Sequence, residues 1–339
     1  MNKISNSEIS ALCESLAMLI DSGLPEEEAI IKLAEDGANS SAAIIRNKYD
    51  VSLSQALRDS EAFPEYMVEM TEIGEGTGRL SNMLLDLADY YERQGMYEDR
   101  IASLIIYPSI LMFVLSAILL YIAVKVFPVF NGVYENLSGT VTSATAGMIT
   151  FATVISWILC AMCLVVGILA IVLYVKWKGA MNKEEVIGYF KYTKFTSRIV
   201  YELELAGFTT AVSNYFSSGI DLETSMEQAI KLVKYEALKD KLQACMEALE
   251  NGTDIVNAFR NNEIYSTANS RILIGAYTSG KMNEGWNDIA EAEWDSVSKS
   301  LNEVTESVEP VVTLVLAVVI GLLLLSIMLP LIGIMTAIA

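Results

Sequence analysis

Residues 101–124 read IASLIIYPSILMFVLSAILLYIAV, and none of these side chains is charged. Two further charge-free stretches follow, at residues 136–175 and 310–339. A transmembrane helix needs about 20 apolar residues, so each stretch is long enough to cross a bilayer once. A second crossing by 136–175 would carry its polar beginning into hydrocarbon. The sequence therefore predicts three transmembrane helices, at residues 101–128, 148–175 and 310–339, with a short tail on the third.

The composition of the whole chain agrees with a membrane protein. Of its 339 residues, 53% are hydrophobic and 19% are charged, and the mean hydropathy is +0.40. Soluble domains usually carry roughly 25% charged residues. A single soluble globule is therefore excluded.

The positions of lysine and arginine predict the orientation in the membrane. The segment 129–147, between the first two predicted spans, contains neither residue, whereas both occur close to the cytoplasmic ends of these spans. Cytoplasmic loops carry the excess of lysine and arginine. We therefore expect a multi-pass protein of the cytoplasmic (inner) membrane, with residues 1–100 and 176–309 in the cytoplasm and 129–147 outside.

The predicted cytoplasmic parts are strongly acidic. Residues 1–100 hold 8 basic and 20 acidic side chains, a balance of −12, and residues 176–309 hold 14 and 21, a balance of −7. Such surfaces repel phosphates, which excludes nucleic acid as a partner. The carboxylates either keep the domains solvated or dock a basic partner. The triplet Glu26, Glu27 and Glu28 is the candidate for such docking.

The amino-acid composition argues against an enzyme. The chain has no histidine, the side chain most often used in acid–base catalysis and metal binding. We therefore expect no catalytic residues, no cofactor and no metal site. One alternative stays open, because carboxylates can bind a divalent cation such as calcium, although they fit solvated helix faces equally well. The candidate ligands are Glu72, Glu75, Asp86 and Asp89.

Helix signals recur along the predicted cytoplasmic parts. Ser5 and Glu8 form a capping box ahead of apolar residues at helical spacing, and Gly23 predicts the end of that helix. Later signals of the same kind predict helix starts at Pro25, Ser52, Pro64 and Leu80 and a stop near Gly37. The last of these helices is predicted to continue into the first membrane span. No sustained alternation of apolar and polar residues indicates a strand, so the predicted class is all-α.

The sequence also contains an internal repeat. Residues 50–128 align without a gap on 252–330 at a shift of 202, so that Gly78 falls on Gly280 and Pro108 on Pro310. Upstream, the shift is 196, which requires six extra residues in the second copy. The repeat predicts two helical-bundle domains, each leading into one membrane helix, with the second span returning the chain between them.

A glycine-rich segment, Gly74-Glu75-Gly76-Thr77-Gly78-Arg79, invites two interpretations. A phosphate-binding loop would follow a strand and include a Gly-Lys-Ser/Thr sequence, and neither feature is present. The favoured interpretation is a turn between two helices, in which the glycines supply positive φ and Gly78 precedes a helix that starts at Leu80.

The segments Phe63-Pro64-Glu65-Tyr66-Met67 and Ile73-Gly74-Glu75-Gly76-Thr77-Gly78-Arg79-Leu80, followed by Tyr107-Pro108 and Phe127-Pro128, resemble the F protein family of type II secretion. This family includes the inner-membrane platform proteins of type IV pili. Glu309-Pro310 and Leu329-Pro330-Leu331 match the second half of the pattern. The second copy departs from it, with Gly275-Ala276-Tyr277-Thr278-Ser279-Gly280 in place of the Gly-Glu motif.

The resemblance implies a non-enzymatic, homo-oligomeric platform. Its implied partners are a hexameric assembly ATPase, pilin-like or pseudopilin subunits and other inner-membrane assembly proteins. The expected partner contacts are Glu26, Glu27 and Glu28, and next the segment with Gly74, Glu75, Gly76 and Gly78. The alternatives are a small helical transporter subunit or a membrane-anchored scaffold. Transporters usually place ionisable residues within their spans, and the second and third predicted spans contain none.

Overall fold

The computed structural model describes residues 4–35, 40–121 and 194–338, together with isolated positions between 124 and 168. Within these residues the regular structure is helical, which confirms the predicted all-α class. The helices with described bounds are α1 (Asn6–Asp21), α2 (Glu26–Glu35), α3 (Ser40–Arg46), α4 (Leu53–Ser60), α5 (Glu65–Thr77), α6 (Leu80–Tyr121), α7 (Lys194–Ser217), α8 (Leu222–Leu232), α9 (Glu236–Glu250), α10 (Ile255–Asn261), α11 (Thr267–Ser279) and α12 (Met282–Ile338).

The helices begin where the predicted caps lie. The Ser5 hydroxyl accepts the backbone N–H of Glu8, and the Ser52 hydroxyl accepts that of Gln55. Each bond satisfies a backbone donor that the first turn of a helix leaves without an intrahelical partner. Gly23 has a φ of 91° and ends α1. The predicted stop near Gly37 lies outside the described residues, and α2 is described as far as Glu35.

The long helix α6 runs without interruption from Leu80 to Tyr121, which confirms that one helix continues from Leu80 into the first apolar stretch. Among the described residues, no helix combines the length and the apolar character needed for a membrane crossing. The spans at 101–128, 148–175 and 310–339 therefore stay predictions. Most of the predicted loop 129–147 and of the second span lies outside the described residues.

Helix starts in the two halves of the chain fall at regular offsets. Helices α10, α11 and α12 begin 202 residues after α4, α5 and α6, and α8 begins 196 residues after α2. The six-residue difference arises at α9, which has 15 residues where α3 has 7. The connection that follows α9 is two residues shorter than the one that follows α3. These offsets are the ones that the predicted repeat requires.

Two glutamates have the left-handed backbone conformation that usually requires glycine. Glu61 has a φ of 52° and Glu263 a φ of 49°, and they are 202 residues apart. In each case the backbone N–H bonds to the carbonyl of an arginine three residues earlier, Arg58 or Arg260. The same strained turn thus connects α4 to α5 and α10 to α11.

The chain divides into two compact units, Met1–Asp99 with Ile187–Leu301, and Arg100–Val186 with Asn302–Ala339. The first unit brings together the two stretches expected to be cytoplasmic. A single hydrophobic core runs through it, with Leu12 and Leu84 from one half and Phe208 and Trp286 from the other. At its edge the Tyr97 ring stacks on Trp294, with centroids 5.2 Å apart. The halves therefore share one interior.

Candidate interaction site

The three consecutive glutamates predicted to bind a partner form the first turn of α2. Negative charge is favourable there, because the N-terminus of a helix carries a partial positive charge. Glu26 is half-buried, whereas Glu27 and Glu28 are exposed. Of the three, only Glu27 and Glu28 are therefore exposed on the surface.

Glu75 reaches from α5 to the beginning of α4. One carboxylate oxygen accepts the backbone N–H of Ser54 at 2.9 Å, and the other accepts the Ser54 hydroxyl at 2.5 Å. The carboxylate thus satisfies a donor in the first turn of α4, alongside the Ser52 cap. Glu75 ties two helices together and contributes to the fold.

The structure brings Glu26 and Glu75 together at the start of α4. The pKa of Glu26 is raised, mainly by burial and then by the negative charge of Glu75, while the backbone N–H of Leu53 opposes the shift. Burial raises the pKa of Tyr49, and the negative charges of Glu26, Glu27 and Glu75 raise it further. All three carboxylates therefore act on the same tyrosine. We call Glu26, Glu27 and Glu75 the acidic cluster.

The surroundings of the acidic cluster include residues that the sequence analysis did not identify. Tyr49 lies beside it, Ser54 is held by it, and Val51, just before the α4 cap, is 73% exposed. Val51 therefore offers an exposed apolar side chain close in sequence to Tyr49 and Ser54. A valine directly before the Ser52 helix cap is a sequence signal that could have pointed here.

The glycine-rich segment differs from its prediction. Gly74 and Gly76 lie within α5, so the expectation that they supply positive φ in a turn is wrong. Of the three glycines only Gly78 has positive φ, 68°; it caps the end of α5 and lies just before α6, which starts at Leu80 as predicted. The N–H of Arg79 bonds back to the Gly74 carbonyl at 2.9 Å, the Schellman pattern of helix ends. A helical segment of this kind offers no phosphate-binding loop.

Gly74 is small because a neighbouring helix approaches it. A Cβ placed there would lie 3.0 Å from Cα of Leu80 and 3.0 Å from Cγ of Met83. Gly76, by contrast, is exposed, and a Cβ there would meet no atom within 4 Å. Gly74 and Gly78 therefore serve the fold, and Gly76 belongs to the surface.

The carboxylates considered as cation ligands have other neighbours. Glu72 pairs with Arg58 at 2.5 Å, and Asp89 pairs with Arg93 at 2.9 Å. Asp86 has a raised pKa, chiefly because of burial. Across the described ranges, no three acidic or thiol side chains come together in a way that could hold a metal ion.

Comparison with known proteins gives a consistent result. The sequence profile of the family described as type II secretion system (T2SS), protein F matches residues 12–128 and 208–330. The type II secretion system protein F of Xanthomonas campestris pv. campestris is 24% identical, over 98% of this chain and 84% of its own length. The type IV pilus assembly protein PilC of Myxococcus xanthus is 22% identical over 99% and 82%. That of Pseudomonas aeruginosa is 21% identical over 97% and 90%.

Proposed function

Because the chain belongs to the type II secretion system protein F family, we propose that it is a non-enzymatic inner-membrane platform of a type IV pilus or type II secretion machine. In this role it couples a hexameric cytoplasmic assembly ATPase to the polymerisation of pilin or pseudopilin subunits. The observation that carries the proposal is the family match, which covers residues 12–128 and 208–330. Relatives named for secretion and for pilus assembly both align with nearly the whole chain.

Co-purification tests this function. The full chain, tagged and extracted from native membranes, should bring down an assembly ATPase and pilin-like subunits. Recovery of a solute-binding protein in their place would favour the transporter alternative, and recovery of neither would leave the scaffold. ATP hydrolysis by the purified chain, free of any partner ATPase, would contradict a non-enzymatic role.

The proposed platform crosses the membrane three times, with residues 1–100 and 176–309 in the cytoplasm. The charge-free stretches and the distribution of lysine and arginine support this topology. Single cysteines near Gly37 and Gly252 should be shielded from an impermeant thiol reagent in intact cells, whereas one near Gly139 should be labelled. Labelling near Gly37 would overturn the topology.

We assign the ATPase contact to the surface around the acidic cluster. Three observations support this: the balance of −12 over residues 1–100, the exposure of Glu27 and Glu28, and the exposure of Val51, just before the α4 cap. A basic partner surface with an apolar centre would complement this region. Glu26 and Glu75 are not chosen for substitution, because both are partly buried at the start of α4.

Association kinetics test this surface. Complementary charge governs chiefly the association rate and its salt dependence. The full chain in lipid nanodiscs, with Glu27→Gln and Glu28→Gln together, should bind the ATPase several-fold more slowly at low salt and with a flatter dependence on ionic strength. Glu247→Gln with Glu250→Gln on α9 removes the same charge from another exposed surface. Equal rates and equal salt slopes for both double variants would show that the glutamates of α2 only solvate the domain.

A further inference from the structure

The C-terminal turns of α7, from the second half, dock on the first half of the same unit. The Tyr215 hydroxyl donates to Glu69 at 2.6 Å, and Nδ2 of Asn214 donates to the Tyr66 hydroxyl at 3.1 Å. The Tyr66 and Tyr215 rings meet edge-on, with centroids 5.7 Å apart. One face of α7 therefore covers one face of α5.

The contact continues at the end of α7. The Arg79 guanidinium donates to the Ser217 carbonyl at 3.3 Å, and Gly207, near the middle of α7, approaches the Tyr90 hydroxyl of α6. Gly207, Asn214 and Ser217 lie at helical spacing on one side of α7. This side is the docking face of the second half.

The corresponding face of the first half is uncovered. At the shift of 196, Asn214 corresponds to Met18 and Ser217 to Asp21, both on α1. Met18 is 60% exposed, and Asp21 is exposed too, as is Glu14 one turn earlier. We call Glu14, Met18 and Asp21 the acidic face.

The surface that would receive such a face is equally uncovered in the second half. At the shift of 202, Tyr66 corresponds to Ala268 and Arg79 to Lys281, and both are exposed. Arg271, at the position of Glu69, is exposed as well. Ile274, one turn further along α11, is 40% exposed. We call Ala268, Arg271, Ile274 and Lys281 the basic face.

The two uncovered faces complement each other in charge and in polarity. The acidic face carries two carboxylates around Met18, and the basic face carries two cations around Ile274. Where Arg79 meets a backbone carbonyl within the chain, Lys281 would meet the Asp21 carboxylate. Lys281 pairs with Glu284 at 2.8 Å, but an exposed pair of this kind is weak and can be exchanged.

We propose that the acidic face of one chain docks on the basic face of a second copy, repeating between chains the α7–α5 contact made within the chain. The partner is a second copy of this chain because each uncovered face corresponds, through the repeat, to a face that already takes part in the internal contact. A face-to-different-face contact is heterologous, so it adds copies head to tail. This inference rests on the homo-oligomeric platform that the family resemblance implies, and its test follows two tagged copies of this chain and does not depend on the ATPase.

Disulfide trapping tests the contact directly. One tagged chain carries Met18→Cys and a differently tagged chain carries Ala268→Cys, and the full-length proteins are oxidised together in native membranes. A mixed disulfide should form at least several-fold more efficiently than between Met18→Cys and Val51→Cys, where Val51 is exposed but belongs to neither face. A Met18→Cys disulfide with itself at equal yield would indicate a symmetric contact and overturn the proposal. So would the absence of the mixed disulfide.

Charge reversal provides the second measurement. Asp21→Lys places a cation at the end of α1, and Lys281→Asp places a carboxylate just before α12, so both changes favour their helix ends and folding should be kept. Each alone should lower the trapped yield several-fold, and the chain with both changes should recover it. Glu247→Lys on α9 is the matched control. Unchanged yields in the single variants, or no recovery in the double variant, would refute the pairing whatever the outcome of the ATPase experiments.

Discussion

Gly74 and Met83 meet where α5 crosses α6, and the contact leaves little room for a Cβ on Gly74, which would lie 3.0 Å from Cγ of Met83. The equivalent residues 202 positions later are Ala276 and Gly285. At this second crossing the glycine lies on the second helix of the pair, α12, and a Cβ on Gly285 would overlap that of Ala276 on α11. At each crossing only one of the two facing residues carries a Cβ.

Gly74→Ala should therefore destabilise the protein, by about 1–3 kcal/mol, the usual cost of overpacking. Gly285→Ala should also destabilise it. Gly76→Ala is the matched control two residues away, since its Cβ meets nothing within 4 Å. It should be neutral or stabilising by up to about 1 kcal/mol, because alanine favours the helix. Denaturant unfolding of the detergent-solubilised chain measures all three, and equal effects at Gly74 and Gly76 would contradict the close crossing.

Replacing the two glutamates at positive φ by asparagine should stabilise the protein. Asparagine tolerates the left-handed conformation better than other non-glycine residues, and both Glu61 and Glu263 are exposed. Glu61→Asn and Glu263→Asn should each raise the free energy of unfolding by about 0.5–1 kcal/mol. Glu65→Asn, at an exposed position with ordinary φ, should bring no gain. A loss of stability at both turns would show that the glutamate side chains matter more than the backbone strain.

Glu75→Gln should weaken the start of α4. The amide can accept the Ser54 N–H or its hydroxyl, but it loses the charge that strengthens both bonds, at a cost of about 1–2 kcal/mol. Glu72→Gln is the control three residues earlier. It loses a pair with Arg58 in which both side chains are 57% exposed, worth less than about 1 kcal/mol. In urea unfolding, Glu75→Gln should have a lower free energy of unfolding than Glu72→Gln. The reverse order would contradict the capping role of Glu75.

Glu293 should make stability depend on pH. It is 4% exposed and accepts Nδ2 of Asn269 at 2.7 Å. Burial raises its pKa to about 7, with a further contribution from the charge of Glu202. Because the folded protein keeps a proton that the unfolded chain releases above about pH 4.5, stability should fall as pH rises to about 7 and then level off.

Glu293→Gln should flatten this slope and leave the part due to Glu26 and Asp86, whose pKa values are also raised by burial. Since one pKa unit corresponds to about 1.4 kcal/mol, the variant should exceed the wild type above pH 7 by roughly 1–3 kcal/mol. Thermal unfolding between pH 5 and 8 measures the difference. Glu291→Gln, an exposed neighbour on α12, should follow the wild-type curve. Parallel curves for wild type and Glu293→Gln would show that another group governs the pH dependence.

The sequence by itself determined the helical class and the starts of α1, α2, α4, α5 and α6. Ser5, Ser52, Gly23 and Gly78 act through hydrogen bonds and dihedral angles within a few residues of their own position, so their effect can be inferred without knowledge of the fold. The shifts of 196 and 202 could also be read from the capping residues, glycines and prolines that recur in the two halves. The acidic composition and the charge-free stretches likewise need no tertiary information, although the membrane spans drawn from them stay predictions.

Only the tertiary structure decided which distant residues meet. Nothing near Glu75 in the sequence indicates that its carboxylate caps α4 or that it lies beside Glu26, because those contacts depend on how three helices pack. Gly74 looked like a turn residue, since a glycine selected for close helix crossing and one selected for positive φ are identical in sequence. The two halves join in one core through long-range contacts such as that of Tyr215 with Glu69, 146 residues away, and such contacts leave no local pattern in the chain.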